Sequence, residues 1–167
     1  MRIILVRHAI AARVGKPAPC DEDRQLTHRG AHRMEVIAKA LRDIAPRPRA
    51  VLTSPLVRAR QTAELIARAW GDLEFTEGAA LVDGDWDGIC RLLDRYRRGD
   101  TVALVGHEPW ISKLTARLLG GKVGRAFAFR KGGVAMIEIE QPRLGHGTLA
   151  WFIPPRVFRK LVVRRRI

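Results

Sequence analysis

The chain has 167 residues, enough for one hydrophobic core without disulfide support, and it is expected to form a single domain over 1–167. Its 31 Lys and Arg against 17 Asp and Glu leave a formal net charge of +14, which favours anionic partners: phosphate esters, nucleic acid, acidic protein surfaces or anionic lipid. Cys20 and Cys90 suggest neither a disulfide framework nor a zinc-type spacing, no apolar run approaches a membrane span, and Ile3 to Val6 is too short for a secretory leader, so a cytoplasmic setting is expected.

The apolar run Ile3-Ile4-Leu5-Val6 reads as a buried strand that stops on Arg7 and His8. Taken alone, that pair is explained by a strand reaching water; an anion held between two cations is the sharper alternative. Ala9 to Arg24 is a loop with Gly15, Pro17, Pro19 and the acidic group Asp21-Glu22-Asp23. Thr27 then caps a helix whose apolar face is Met34, Ile37, Ala38 and Leu41, and the pattern stops before Pro46.

Ala50 to Thr53 is a second strand, and Ser54-Pro55 reads as a hydroxyl cap followed by proline at the first helical position. The next helix buries Ala59, Ala63, Ile66 and Trp70 and carries Arg58 in its first turns. The helix dipole disfavours a cation there, so an exposed arginine costs up to about 1 kcal/mol, whereas one sharing an anion with the helix amides does not. Leu73 to Thr76 reads as a third strand. Glu77 to Gly88 reads as an acidic loop, before a short helix with Ile89, Leu92, Leu93 and Tyr96 on one face.

Thr101 to Val105 is a second clear buried strand, running into Gly106-His107-Glu108-Pro109. Pro109 at the first helical position makes Glu108 the cap and leaves His107 just outside the helix. Parallel strands place it at the same sheet edge as His8. A helix with Ile111, Leu114, Thr115 and Leu118 on one face ends at Gly120-Gly121. Phe127 to Phe129, Val134 to Glu140 and Leu149 to Ile153 read as edge strands, the last two as a hairpin. Arg156, Arg159, Lys160 and Arg164-Arg165-Arg166 read as a solvated basic end after Pro154-Pro155. The order predicts an α/β three-layer sandwich, a mostly parallel sheet with helices on both faces.

Arg7, His8, Arg58 and His107 together are far more specific than any one of them. With "LVRHA" at Leu5 to Ala9, "LTHRG" at Leu26 to Gly30, "TSPLVRARQTAELIA" at Thr53 to Ala67 and "LVGHEP" at Leu104 to Pro109, the chain resembles the histidine phosphatase, or phosphoglycerate mutase-like, superfamily. Its short length and "RHA" turn are most similar to the small SixA-like phosphohistidine phosphatases. The resemblance implies His8 as the nucleophile that takes the phosphoryl group, with Arg7, Arg58 and His107 around its oxygens. Imidazole nitrogen can attack phosphorus at neutral pH, and arginine forks match phosphoryl oxygens. The general acid is left between Glu108, Asp83 and Asp85, or none. Glu108 is equally well read as a cap, and Thr27 is a candidate for the site as well as the cap of its helix.

These readings predict a metal-independent phosphatase without a cofactor, acting on protein phosphohistidine or a small phosphate ester, and expected to be monomeric and free of membrane. A basic binding module for RNA or acidic protein, without turnover, is the competing reading. It draws on the net charge and the basic tail, although no aromatic-basic interleaving of an RNA surface stands out, so nucleic acid is not the expected partner. His28 and His32 lie one helical turn apart without an evident third ligand, so no metal site is expected. Trp110 reads as packing or as part of the site's mouth.

Overall fold

The computed structural model describes residues 1–15, 18–121, 127–140 and 145–163, with the side chains of 159, 162 and 163 excluded. In chain order the elements are β1 (Arg2–Arg7), α1 (His28–Ile44), β2 (Ala50–Thr53), α2 (Val57–Ala69), β3 (Phe75–Glu77), α3 (Ala80–Asp83), α4 (Trp86–Leu93), β4 (Thr101–Gly106), α5 (Trp110–Leu118), β5 (Val134–Ile139), β6 (Gly147–Ile153) and α6 (Pro155–Val163). The sheet has the order β3-β2-β4-β1-β5-β6. β1, β2, β3 and β4 run parallel, and β5 is antiparallel to both of its neighbours.

Alternation along the central strands divides the core into two layers. Ile4 and Val6 of β1, with Val51, Ala103 and Val105, meet Met34, Ile37 and Leu41 of α1, Ala63 and Ile66 of α2, and Phe158 of α6. Ile3 and Leu5, with Leu52, Val102 and Leu104, meet Leu81, Ile89, Leu93, Ile111 and Leu114 on the other face. Both faces of β1 are dry, which is why it reads as an unbroken apolar run rather than an alternating one. The expected three-layer α/β architecture is therefore present. Among the described residues, no helix is long and apolar enough to cross a membrane.

Several local expectations change. α2 opens at Val57, because Ser54 Oγ accepts the Leu56 amide at 3.3 Å in a turn and no side chain caps the helix. The third strand begins at Phe75, later than Leu73. α4 spans Trp86–Leu93, stopping short of Tyr96, because Asp85 accepts the Gly88 amide at 3.0 Å and starts the helix inside the expected loop. That loop also contains α3. Phe127 to Phe129 is not a strand: the Phe129 amide and carbonyl go to the Glu108 and Arg7 side chains. β5 is not at the edge, since it lies between β1 and β6.

Glu108 does not cap α5. The helix opens at Trp110 after Pro109, and the Glu108 carboxylate turns instead to the Ser112 hydroxyl and Phe129 amide. The end expected to be solvated contains α6, where Pro155 sits at the first helical position and Phe158 is fully buried against α1. Arg164-Arg165-Arg166 lies outside the described residues.

Candidate active site

Strand register builds the site. Val6 pairs with Val105 and Arg7 with Gly106 in parallel, and the His8 amide donates to the Gly106 carbonyl at 2.9 Å. The residues following the two strands are thereby brought side by side, and the His8 and His107 rings lie 5.1 Å apart between centroids. Gly106 is required at this crossing, because a Cβ there would run into the Trp110 indole. Trp110 is accordingly buried packing at the floor of the turn.

The His8 imidazole has a defined tautomer. Its Nδ1 lies 2.7 Å from the Ala9 carbonyl oxygen, which can only accept, so Nδ1 carries the proton and Nε2 keeps its lone pair. Burial lowers the His8 pKa to about 3; the Ala9 hydrogen bond opposes this, and nearby His107, Arg58 and Arg7 push the same way as burial. Burial, then Arg58, lowers His107 to about 4 against the pull of Asp21. Both rings are neutral at physiological pH.

Arg58, the second residue of α2, is buried. Its Nη1 donates to the Asp21 carbonyl at 2.6 Å and its Nη2 to Asp21 Oδ2 at 2.8 Å, while Nε has no partner. The basic residue that looked misplaced at a helix start is thus held by the acidic loop before α1. Thr62, one turn further along α2, donates to the Arg58 carbonyl at 2.6 Å and accepts the Ala9 amide at 3.1 Å, locking the turn after β1 onto α2.

Arg7 Nη1 donates to the Phe129 carbonyl at 2.5 Å, and the Phe129 amide donates to Glu108 Oε1 at 2.8 Å. Glu108 Oε1 also accepts from the Ser112 hydroxyl at 2.6 Å, so this carboxylate orients Arg7 through one backbone unit. Burial lowers the Arg7 pKa and Glu108 opposes it. Thr27 Oγ1 accepts the Gly30 amide at 3.0 Å and donates to the Ile10 carbonyl at 3.3 Å, which commits the hydroxyl to its cap. Asp83 accepts the Asp85 amide, and Asp85 caps α4, so both serve their own loop. His28 and His32 are exposed, and among the described residues no group of three His, Cys, Asp or Glu is arranged to hold a metal.

Arg7 Nε, Arg58 Nε and both His107 ring nitrogens are buried without a hydrogen-bond partner. Each such group costs about 1–3 kcal/mol, more if charged, and the two arginine nitrogens with the single N–H of the neutral His107 ring leave three donors at one locus for a ligand rich in acceptors. A tetrahedral oxyanion supplies them. The model of the histidine phosphatase superfamily (branch 1) matches residues 3–91, a stretch that contains Arg7, His8 and Arg58.

The chain belongs to that superfamily, and it is a phosphatase. An uncharacterized protein of Picosynechococcus is 32% identical over 138 residues, covering 80% of this chain and 82% of that protein. The structure of the protein histidine phosphatase SixA complexed with tungstate is 25% identical with a TM-score of 0.81, covering 94% of this chain and 99% of that one. A candidate phosphohistidine phosphatase SixA from Agrobacterium tumefaciens is 27% identical with a TM-score of 0.77, covering 92% and 97%.

Asp21, Thr62 and the Phe129 backbone were not singled out as site residues by sequence reasoning. Asp21 reaches Arg58 across 37 positions and the Phe129 carbonyl meets Arg7 across 122, separations that leave no periodic signal.

Proposed function

We propose that this phosphatase removes phosphoryl groups from protein phosphohistidine, through a covalent intermediate on His8 and without a metal. The observation that carries the reading is the ring of buried, partnerless nitrogens on Arg7, Arg58 and His107 around a histidine whose Nε2 holds a free lone pair. Likeness to the protein histidine phosphatase SixA supports the choice of substrate.

In the first step His8 Nε2 attacks phosphorus, a P–N bond forms to His8, and the bond to the substrate imidazole breaks. That imidazole leaves with the electron pair of the broken bond and takes a proton from solvent. In the second step water attacks phosphorus, the bond to Nε2 breaks, and inorganic phosphate departs, restoring neutral His8. Arg7, Arg58 and His107 hold the equatorial oxygens throughout, and preset donors of this kind supply most of what phosphoryl transfer needs. Glu108 acts as a positioning residue for Arg7 through Phe129. Imidazole is a good leaving group, so the step places little demand on an acid.

A phosphohistidine protein labelled with radioactive phosphorus tests this reading. Acid-labile, base-stable label on wild-type enzyme is expected during turnover, and none on His8→Ala, whose turnover falls by at least about 10³-fold, with wild-type activity unchanged in EDTA. Activity that survives His8→Ala overturns the mechanism. A higher kcat/KM for simple phosphate esters than for the phosphohistidine protein overturns the substrate.

A further inference from the structure

A cavity of about 810 Å³ opens beside Arg7, between the N-terminal half of α1, the 130–133 turn and the start of α6. Its inner wall is apolar: Met34 and Ile37 are buried and Ile10 is half-buried. Its rim is basic, with Arg130 and Arg156 exposed and Lys131 half-buried. None of these three cations is paired with a carboxylate among the described residues.

Lys131 is tied to the catalytic turn by the backbone. The Gly132 amide donates to the Arg7 and His8 carbonyls at 3.0 and 3.2 Å, and the Arg7 amide donates to the Gly133 carbonyl at 3.1 Å. Gly132 has φ +79, a conformation that a side chain would strain, so the turn carries Lys131 where it does only because glycine follows. Burial, then Arg24, Arg7, Arg58 and Arg13, lowers the Lys131 pKa, so its ammonium faces cations. Such a group gains most from an incoming anion.

We propose that this cavity is the subsite for the polypeptide around the phosphorylated residue, selecting an apolar side chain for the wall of Ile10, Met34 and Ile37 and flanking carboxylates for Arg130, Lys131 and Arg156. The proposal rests on the protein-substrate reading above and specifies which proteins fit: those with acidic, apolar-anchored surroundings. Nucleic acid suits the cavity less well. Among the described residues no aromatic side chain lines it for base stacking, and its wall is aliphatic.

Binding of a fluorescent, unphosphorylated peptide with several Glu and one Leu, read by anisotropy at 150 mM salt, tests the subsite without requiring turnover. The paired variant Arg130→Glu with Lys131→Glu should weaken binding by roughly tenfold or more, whereas Arg95→Glu with Arg98→Glu, on an exposed segment elsewhere, should change it less than about threefold. A phosphohistidine peptide with acidic flanks should exceed one with neutral flanks by roughly tenfold in kcat/KM, and the paired cavity variant should erase that ratio. Equal weakening by both variant pairs, or RNA binding more tightly than the peptide, overturns the subsite. Phosphohistidine turnover without flank preference also overturns it and leaves the protein-substrate reading standing. If neither phosphohistidine peptide turns over although Arg130 and Lys131 still govern peptide binding, the substrate reading fails and the subsite that rests on it falls with it.

Discussion

The two ends of the sheet are both basic, and they use their cations differently. At the end where the parallel strands begin, Arg2 faces Glu138 at 3.5 Å, Arg49 faces Asp100 at 3.4 Å and Arg98 faces Glu140 at 3.8 Å. At the end where those strands finish, Arg7 and Arg58 are turned inward against two neutral histidines and keep a buried nitrogen without a partner. The side chain of Arg49 is 67% exposed and that of Arg58 8%. Positive charge in itself therefore marks neither end as functional. What distinguishes them is burial without enough local acceptors, a cost that folding alone gives no reason to bear.

The sharpest way to break the comparison is to truncate one arginine at each end. Arg58→Ala should lower kcat/KM by about 10²–10³, the usual cost of losing one preset donor to a developing oxyanion. Arg49→Ala should leave kcat/KM unchanged and shift stability by less than about 1 kcal/mol, as exposed ion pairs do. Equal losses in the two variants, measured in one assay and checked by thermal melting, would remove the distinction.

A somewhat smaller effect concerns the buried histidines. Their folded pKa values, about 3 for His8 and about 4 for His107, lie below the ordinary value of 6.5. Between those limits the unfolded chain binds more protons than the folded one. Stability should therefore be intact above pH 6.5 and decline as pH falls toward 3. From pH 7.5 to 5.0 each histidine can contribute a loss of up to about 2 kcal/mol. Carboxylates contribute little in this window, because their unfolded values lie near 4. Urea midpoints at the two pH values should differ less in His8→Ala than in wild type, and inorganic phosphate should reduce the wild-type difference by neutralising the surrounding arginines. A wild-type difference no larger than that of His8→Ala would contradict the buried, neutral state of His8.

How far the sequence reaches can be seen from the same two ends. Arg7, His8 and His107 were legible because they stand at the ends of dry strands, and parallel pairing turns that position in the chain into a position in space. Arg58 was legible as an anomaly against the helix dipole. The local devices were less so. Ser54-Pro55 and Glu108-Pro109 both look like helix openings, yet each helix starts later, because the polar side chain found another partner: the Leu56 amide for Ser54, and Ser112 with Phe129 for Glu108. Phe127 to Phe129 has strand composition, but the Phe129 backbone is spent on the site. α6 was hidden by its charges, since Phe158 is the one fully buried anchor among its described side chains. Such contacts depend on what lies opposite in space.

Asp21 sharpens the comparison, being a carboxylate paired with a buried arginine at the catalytic end, whereas Glu77 pairs there with the exposed Arg60. Asp21 differs from Asp100 and Glu138 in what it leaves free: it takes Nη1 and Nη2 of Arg58 through its carbonyl and carboxylate and leaves Nε unpaired. Its own carboxyl is held below the usual range, first by the Arg24 hydrogen bond and then by Arg58, so it stays ionised wherever the enzyme is assayed. This contact aims the guanidinium rather than neutralising it. Asp21→Asn keeps the shape and the carbonyl contact but weakens the hold on Nη2. kcat should fall by roughly three- to tenfold as Arg58 loses alignment, while KM for an anionic substrate should not rise, because a negative charge near the site has been removed. A purely structural role would lower stability without separating kcat from KM. A rise in KM with unchanged kcat would mean that Asp21 helps to hold substrate, and the aiming role would fall.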